Sequence, residues 1–445
     1  MNKTKIICTL GPSCYSETIL KKMISNGLSV ARFNFSHADY DVSKKIISII
    51  RNINQELNKY VALMLDTKGP EIRTHNFDGN VLINKDSLVR ISSKEVLGNS
   101  KIFSVTYPNF YNELHIGDFI NIDDGYLSLQ VIEKDDSTKE LIAKAQNNHL
   151  VKSRRGVNVP GVKLNIPFLS EKDKKDILFA IEQNYDYIAA SFVRNAQDIQ
   201  DIKDLLESNK CYNLKIIAKI ENQEGIDHID EILAISDGIM VARGDLGIEI
   251  DGTLVPLYQS EIIDKCLQKG KLVIVATQML ESMQKNPRPT KAEISDVFNA
   301  VREGTSATML SGESASGNYP LESVQYMYNI SKSAEKFLDY DVFLNYYEPK
   351  IWREKFLLGA IELANIINAK AILVNNFSDA CIISKFHSAF PILAVVANLK
   401  EASWLSLYFG VIPLLNSDEL NAKMIDYQIE TNQLIEVNVS QILIK

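Results

Sequence analysis

Lys219 and Glu221 stand two residues apart at the end of the apolar run IIAKIE (216–221). In a strand the side chains alternate between faces, so both charges project to the side that the preceding pattern marks as interior. A structural ion pair is one explanation, although buried pairs add little net stability. The other is a strand that ends where charge is needed. Several apolar runs end in the same way. SVARFNFS (29–36) puts Arg32, Asn34 and Ser36 on one face, and VALMLDT (61–67) ends in Asp66 and Thr67. GIMVARGD (238–245) ends in Arg243 and Asp245, LVIVATQ (272–278) carries Thr277, and SATMLSGE (306–313) reaches Ser311 and Glu313.

Such a ring of cations, carboxylates and hydroxyls suits one kind of chemistry well. Glu221 and Asp245, from neighbouring strands, can both ligate one divalent ion, and two protein oxygens plus substrate and water suit Mg2+. Lys219 and Arg32 beside it would meet a phosphoryl group carrying several negative oxygens. Phosphoryl transfer needs charge neutralisation and positioning more than covalent help. A Schiff-base lysine is the competing role for Lys219, and the carboxylate two residues away weighs against it.

The elements that must position these residues repeat a pattern of short apolar run, polar terminus and amphipathic helix. The runs lie at 5–11, 29–36, 61–67, 186–193, 215–222, 238–245, 272–278 and 306–312. Alternating strand and helix implies a parallel sheet with helices outside, and eight units fit an α/β fold of the (β/α)8 TIM barrel type. Between the third and fourth runs, 72–165 alternates in short segments with turn signals such as Asp124-Gly125, which predicts an inserted all-β lid domain. Helical periodicity returns at 170–184 with Ser170 as N-cap. A tyrosine-rich, acidic stretch at 339–349 precedes a further strand–helix alternation. The predicted organisation is therefore a barrel from 1–71 and 166–338, the β-rich insert at 72–165, and a C-terminal α/β domain at 339–445.

A length of 445 residues exceeds one compact core, and 46% hydrophobic with 23% charged residues argues against disorder. The net charge of −8 gives no reason to expect nucleic acid or an anionic membrane. Five cysteines without metal-ligand spacing suit a reducing compartment and structural roles. With no apolar stretch of about 20 residues and no leader-like start, a cytoplasmic protein is expected.

The ordered motifs KIICTLGPS, ARFNFSH, LDTKGPEIRT, RRGVNVPG, IIAKIENQEG, MVARGDLGIE, NPRPTKAEISDV and MLSGESASGNYP closely resemble the pyruvate kinase family, and the resemblance covers the chain from Lys3 to about Ser323. The resemblance implies phosphoryl transfer from phosphoenolpyruvate to ADP, giving pyruvate and ATP, as the final step of glycolysis. It implies that Lys219 stabilises the phosphoryl in flight and that Glu221 and Asp245 bind Mg2+ (or Mn2+). Gly244 and Asp245 amides with the Thr277 hydroxyl would hold the substrate carboxylate, Arg32 would meet its phosphate, and Thr277 with Ser311 would serve enolate protonation. Asn34, Ser36, Asp66 and the Thr67 carbonyl would form a K+ site, with Glu71 marking K+ dependence. Asn34, His37, Arg73 and Arg155 match nucleotide positions, Arg155 replacing the lysine of most relatives.

The resemblance further implies a homotetramer. The C-terminal domain departs from the family: VNNFSDACIISKF (374–386) places Asp379 where a sugar-phosphate activator would bind, and QLIEVNVSQILIK (433–445) lacks the usual Gly/Ser/Thr-rich loop. Insensitivity to fructose 1,6-bisphosphate is expected. The competing readings are a catalytically silent relative kept for binding, and another Mg2+ barrel enzyme acting on pyruvate or its enol phosphate. ADP dependence separates the latter, and any turnover excludes the former.

Overall fold

The computed structural model describes residues 2–36, 38–430 and 432–445. Eight parallel strands close a barrel: β1 (Lys5–Thr9), β2 (Leu28–Asn34), β3 (Ala62–Asp66), β4 (Tyr187–Ala190), β5 (Lys215–Ile220), β6 (Gly238–Ala242), β7 (Leu272–Ala276) and β8 (Ala307–Leu310). Each is a short apolar run because both of its faces are covered, one by the outer helices and one by the barrel interior. Ile7, Val30, Met64, Tyr187, Ile217, Met240, Ile274 and Met309 fill that interior, so the barrel is a packed core rather than a pore. Register is continuous at the ends that carry polar residues, with Asn34 beside Asp66 and Ala189 beside Asp66.

The insert between β3 and β4 is β-rich; where the alternating pattern predicts an all-β unit, the structure adds one short helix, Phe110–Glu113. Its seven-stranded sheet runs from Ile72–Arg73 to Gly156–Asn158 and is accompanied by a two-stranded ribbon. Alternate positions such as Val89 and Ile91, or Leu127, Leu129 and Val131, pack into a core separate from that of the barrel. The helix Glu171–Glu182 then restarts the barrel with a capping box: Ser170 accepts from the Asp173 amide while Asp173 accepts from the Ser170 amide.

The C-terminal part is a five-stranded sheet of β9 (Ala371–Val374), β10 (Ile392–Val395), β11 (Val411–Leu414), β12 (Leu434–Val437) and β13 (Ile442–Ile444), in the order β11-β10-β9-β12-β13. All pairs are parallel except the final hairpin β12–β13. The unit is anchored to the barrel floor by the helix Leu399–Leu405: Leu407 just beyond it joins the barrel-interior cluster, and the Tyr187 hydroxyl donates to the Trp404 carbonyl. The active end of the barrel is thus at the opposite mouth. No helix among the described residues is long and apolar enough to cross a membrane.

Candidate active site

The C-terminal ends of the barrel strands converge on a buried charged network. Arg32, near the end of β2, donates from Nε to Asp66 Oδ2 at 2.6 Å and from a terminal nitrogen to Thr9 Oγ1 at 2.7 Å. Thr9 in turn donates to the Leu310 carbonyl, so β1, β2, β3 and β8 are tied at one level. Lys219 Nζ lies 3.0 Å from Asp66 Oδ1 and 2.9 Å from Glu221 Oε1, which places the two β5 charges on one face as alternation requires. All four ionic side chains are nearly inaccessible to water.

Burial alone would neutralise these groups, and their neighbours decide which stay charged. Burial pushes the Asp66 carboxyl up, but Arg32 and Lys219 together outweigh it and hold it below its ordinary value. Burial pulls Lys219 down, yet Asp66 and Glu221 more than reverse this and the ammonium is held above its usual range. Glu221 goes the other way: burial, with Asp245 and Asp66 adding to it, raises its carboxyl above the usual range in spite of Lys219. The two ends of the Lys219–Glu221 contact therefore differ, because one lysine serves two carboxylates. Glu221 Oε2 accepts the Phe192 amide at 2.7 Å, whereas the buried Oε1 has no partner of hydrogen-bonding geometry. A carboxylate short of positive charge, sharing its lysine with Asp66 and with Asp245 near enough to be felt, fits a divalent cation. No group of three or more His, Cys, Asp or Glu with metal-ligand geometry occurs among the described residues. The donor set is the two-carboxylate kind that leaves room for water and substrate oxygens.

Asp245 sits in the first turn of the helix Arg243–Glu249, whose leading amides lack intrahelical acceptors. The Gly244 amide donates to Thr277 Oγ1 at 2.7 Å, and that hydroxyl donates to the Ala276 carbonyl. Thr277 and Gln278 both lie in the left-handed region, at φ 67° and 53°. For a β-branched residue this is costly backbone, of about 1–3 kcal/mol, and Arg243 helps to hold it. Arg243 belongs to the polar strand ends, but it turns away from the mouth, donating to the Thr277 carbonyl at 2.9 Å and to Asp296 at 2.7 Å. Ser311 donates its amide to Glu313 Oε2, and the other oxygen of Glu313 takes the Leu280 amide, which fastens the loops after β7 and β8 together.

At the ends of β2 and β3 Asn34 stands beside Asp66 in register, Asn34 Oδ1 accepts the Ser36 amide at 3.0 Å, and the Thr67 carbonyl accepts the Ser191 hydroxyl. These amide, carboxylate and carbonyl oxygens are hard donors, the type a monovalent cation takes. Glu71 pairs with Arg73 at 2.7 Å, and Arg155 reaches Asp123 at 3.5 Å, all on the insert side of the mouth. His37 lies outside the described residues. A cleft of about 270 Å3 opens between insert and barrel, lined among others by Glu71, Asp124, Asn158, Lys163, Asn222 and Asp245. Across it Asn158 donates to Glu249 at 2.7 Å, and Lys163 lies 3.7 Å from Glu224.

Sequence reasoning missed Ser191 and Phe192. Ser191 Oγ accepts from Lys219 Nζ at 2.7 Å and donates toward the Thr67 carbonyl at 2.7 Å, with Asp66 Oδ1 at 3.1 Å. The signal was present: DYIAASFV (186–193) carries Ser191 near its end, as other runs carry Thr277 and Ser311 near theirs. Asp173 was also missed, because its amide acceptances from Lys68 and Gly69 are long-range.

Residues 1–324 match the family model described as pyruvate kinase, barrel domain. Among curated relatives, a pyruvate kinase of Staphylococcus saprophyticus is 47% identical over 423 residues, covering 93% of this chain and 72% of that protein. One from Staphylococcus haemolyticus is 44% identical, covering 98% of this chain and 76% of its own length. Among solved structures, a crystal structure of a pyruvate kinase from Cryptosporidium parvum superposes with a TM-score of 0.94 at 37% identity, over 99% of this chain and 96% of that one.

Proposed function

Since the chain belongs to the pyruvate kinase family, we propose that it moves the phosphoryl group of phosphoenolpyruvate to ADP through the residues gathered at the barrel mouth. The single observation that carries this assignment is the position of Lys219, a charged lysine held between Asp66 and Glu221 where burial would otherwise discharge it. Lys219 and Arg32 face the phosphoryl oxygens and offset their charge as the group leaves one oxygen and joins another. The Thr277 hydroxyl and the Gly244 and Asp245 amides, the first of which donates to Thr277 Oγ1 in this structure, take the substrate carboxylate. Thr277 and Ser311 lie on the side from which the enolate receives its proton. A threonine hydroxyl is too weak an acid to act unaided, so solvent must relay that proton.

Glu221 and Asp245 would hold Mg2+ or Mn2+, which when bound supplies Lewis-acid neutralisation of phosphoryl and enolate oxygens. Asn34, Ser36, Asp66 and the Thr67 carbonyl would hold K+, with Glu71 nearby marking the dependence. Asn34, Arg73 and Arg155 would contact the nucleotide, as would His37 by its place in the family motif, and the insert, 72–165, closes over it as a lid between the barrel segments 1–71 and 166–338. Arg155 brings a planar fork where most relatives bring a lysine. The C-terminal domain, 339–445, serves packing and assembly into a homotetramer. Its sugar-phosphate response is absent: Asp379 occupies the helix start at Phe377–Lys385 and is clamped by Arg353, which donates from Nε at 2.8 Å. A cytoplasmic enzyme follows from the reaction.

The test is pyruvate formation from phosphoenolpyruvate with and without ADP, in Mg2+, with K+ against Na+. Turnover requiring ADP and rising with K+ is expected, with no shift of the phosphoenolpyruvate midpoint on adding fructose 1,6-bisphosphate. Lys219→Met should fold and lose most turnover, of the order of 10^3-fold. Near-normal turnover in that variant would remove Lys219 from the mechanism.

A further inference from the structure

The turn after β4 touches both halves of the catalytic pair at once. Ser191 Oγ accepts from Lys219 Nζ at 2.7 Å, and the next residue, Phe192, donates its amide to Glu221 Oε2 at 2.7 Å. Ser191 is itself fixed at both ends: its amide donates to Thr67 Oγ1 at 3.0 Å, and its hydroxyl donates to the Thr67 carbonyl. Phe192 adopts φ 56°, left-handed backbone that a bulky side chain enters only when its surroundings impose it. Gly69 supplies the room. A Cβ added there would lie 2.8 Å from the Ser191 carbonyl oxygen and 3.0 Å from Ser191 Cβ, and Gly69 is also at positive φ, 69°. Asp173 accepts the Gly69 amide, so the loop that makes this room is tied to the capping box of the following helix.

We propose that Ser191-Phe192 is the positioning device of the site: the serine hydroxyl sets the lysine that meets the phosphoryl group, and the strained phenylalanine amide holds Oε2 of the glutamate that would hold the metal, leaving Oε1 on the Lys219 side. A lysine ammonium has three donors on a flexible stem. Two carboxylates fix its charge but not its direction, and the third acceptor, Ser191 Oγ, completes the set. The same hydroxyl reaches the Thr67 carbonyl, so the Lys219 position is linked to the oxygens assigned to K+. This inference rests on the proposed phosphoryl transfer and names residues that act through Lys219 and Glu221 rather than on substrate.

The test compares Ser191→Ala, Ser191→Thr and Gly69→Ala with wild type in steady-state kinetics. Mn2+ binding without substrates is followed by water-proton relaxation, and folding by thermal melts. Ser191→Ala should lower kcat about 10- to 100-fold, with KM for phosphoenolpyruvate within about threefold. Its Mn2+ affinity should be kept, because the Phe192 amide still holds Glu221. Ser191→Thr, which retains the hydroxyl, should recover most of the loss. Gly69→Ala displaces the whole turn and should weaken Mn2+ binding as well as kcat. Ser191→Ala turning over within about twofold of wild type would overturn the inference while leaving the reaction intact. Loss of Mn2+ affinity in Ser191→Ala together with a collapsed melt would reduce Ser191 to a packing role and overturn it equally. A wild type that makes no pyruvate would overturn the reaction itself and this inference with it.

Discussion

At the scale of single residues, Arg32 shows how much depends on side-chain shape as well as charge. Its fork holds Asp66 with one nitrogen and Thr9 with another, and both contacts are buried. A lysine has the charge but cannot span two acceptors in a fixed plane. Arg32→Lys is therefore expected to lower kcat at least tenfold and to raise KM for phosphoenolpyruvate, measured by steady-state kinetics. Arg32→Gln leaves Asp66 with Lys219 as its only cation, and urea unfolding should register a loss of about 3 kcal/mol. A change below about 1 kcal/mol would mean that Lys219 alone compensates Asp66. Thr277 makes the complementary point, since its left-handed backbone is strain located where its hydroxyl meets the Gly244 amide.

At the scale of elements, side-chain bonds join the insert to the barrel across the cleft, Asn158 to Glu249 at 2.7 Å and Asn121 to the Ile248 carbonyl at 3.5 Å. Asn158 to Glu249 is the shortest side-chain bond across that cleft, and burial raises the Glu249 carboxyl although Asn158 opposes the shift. Asn158→Ala should raise KM for ADP several-fold while the melting temperature stays nearly unchanged, because one such bond is worth only about 1 kcal/mol. An unchanged KM for ADP would show that nucleotide binding does not depend on this contact. The helix Glu171–Glu182 acts at the same scale but on the other side of the site. Its Asp173 closes the capping box and also receives the Lys68 and Gly69 amides, so one carboxylate starts a helix and shapes the loop after β3.

At the scale of the whole molecule, barrel and C-terminal unit are joined around His387. Its ring lies between Phe409, with centroids 4.3 Å apart, and Phe343, 5.5 Å away, and neither ring nitrogen has a partner of hydrogen-bonding geometry. Burial pushes the imidazole down to about 4, with the backbone of Gly304 and Lys385 offsetting it in part. The unfolded chain therefore takes the proton first as pH falls. This stability is whole above about pH 6.5 and is lost between 6.5 and about 4, at most about 3 kcal/mol. Melts across that window should fall more steeply for wild type than for His387→Asn, which tolerates the φ of 46° without titrating. Equal slopes would place the acid sensitivity elsewhere.

The sequence by itself determined the barrel, the β-rich character of the insert and the C-terminal α/β unit, because period-2 and period-3.6 patterning are local properties; the single turn of helix at Phe110–Glu113 is too short to show such a period. It also determined that Lys219 and Glu221 share a face, since alternation along a strand admits no other outcome. Which polar ends meet is not local. Arg243 has the same standing in the sequence as Arg32, yet packing against the helices Val255–Lys269 and Lys291–Arg302 turns it toward Gln259 and Asp296. Ser191, an unremarked hydroxyl in an apolar run, becomes the third acceptor of Lys219 only because barrel closure brings β3, β4 and β5 side by side. The orientation of the Glu221 carboxylate and the strained turn at Phe192 likewise exist only once the strands are assembled, since the Phe192 amide meets Glu221 Oε2 across neighbouring strand ends.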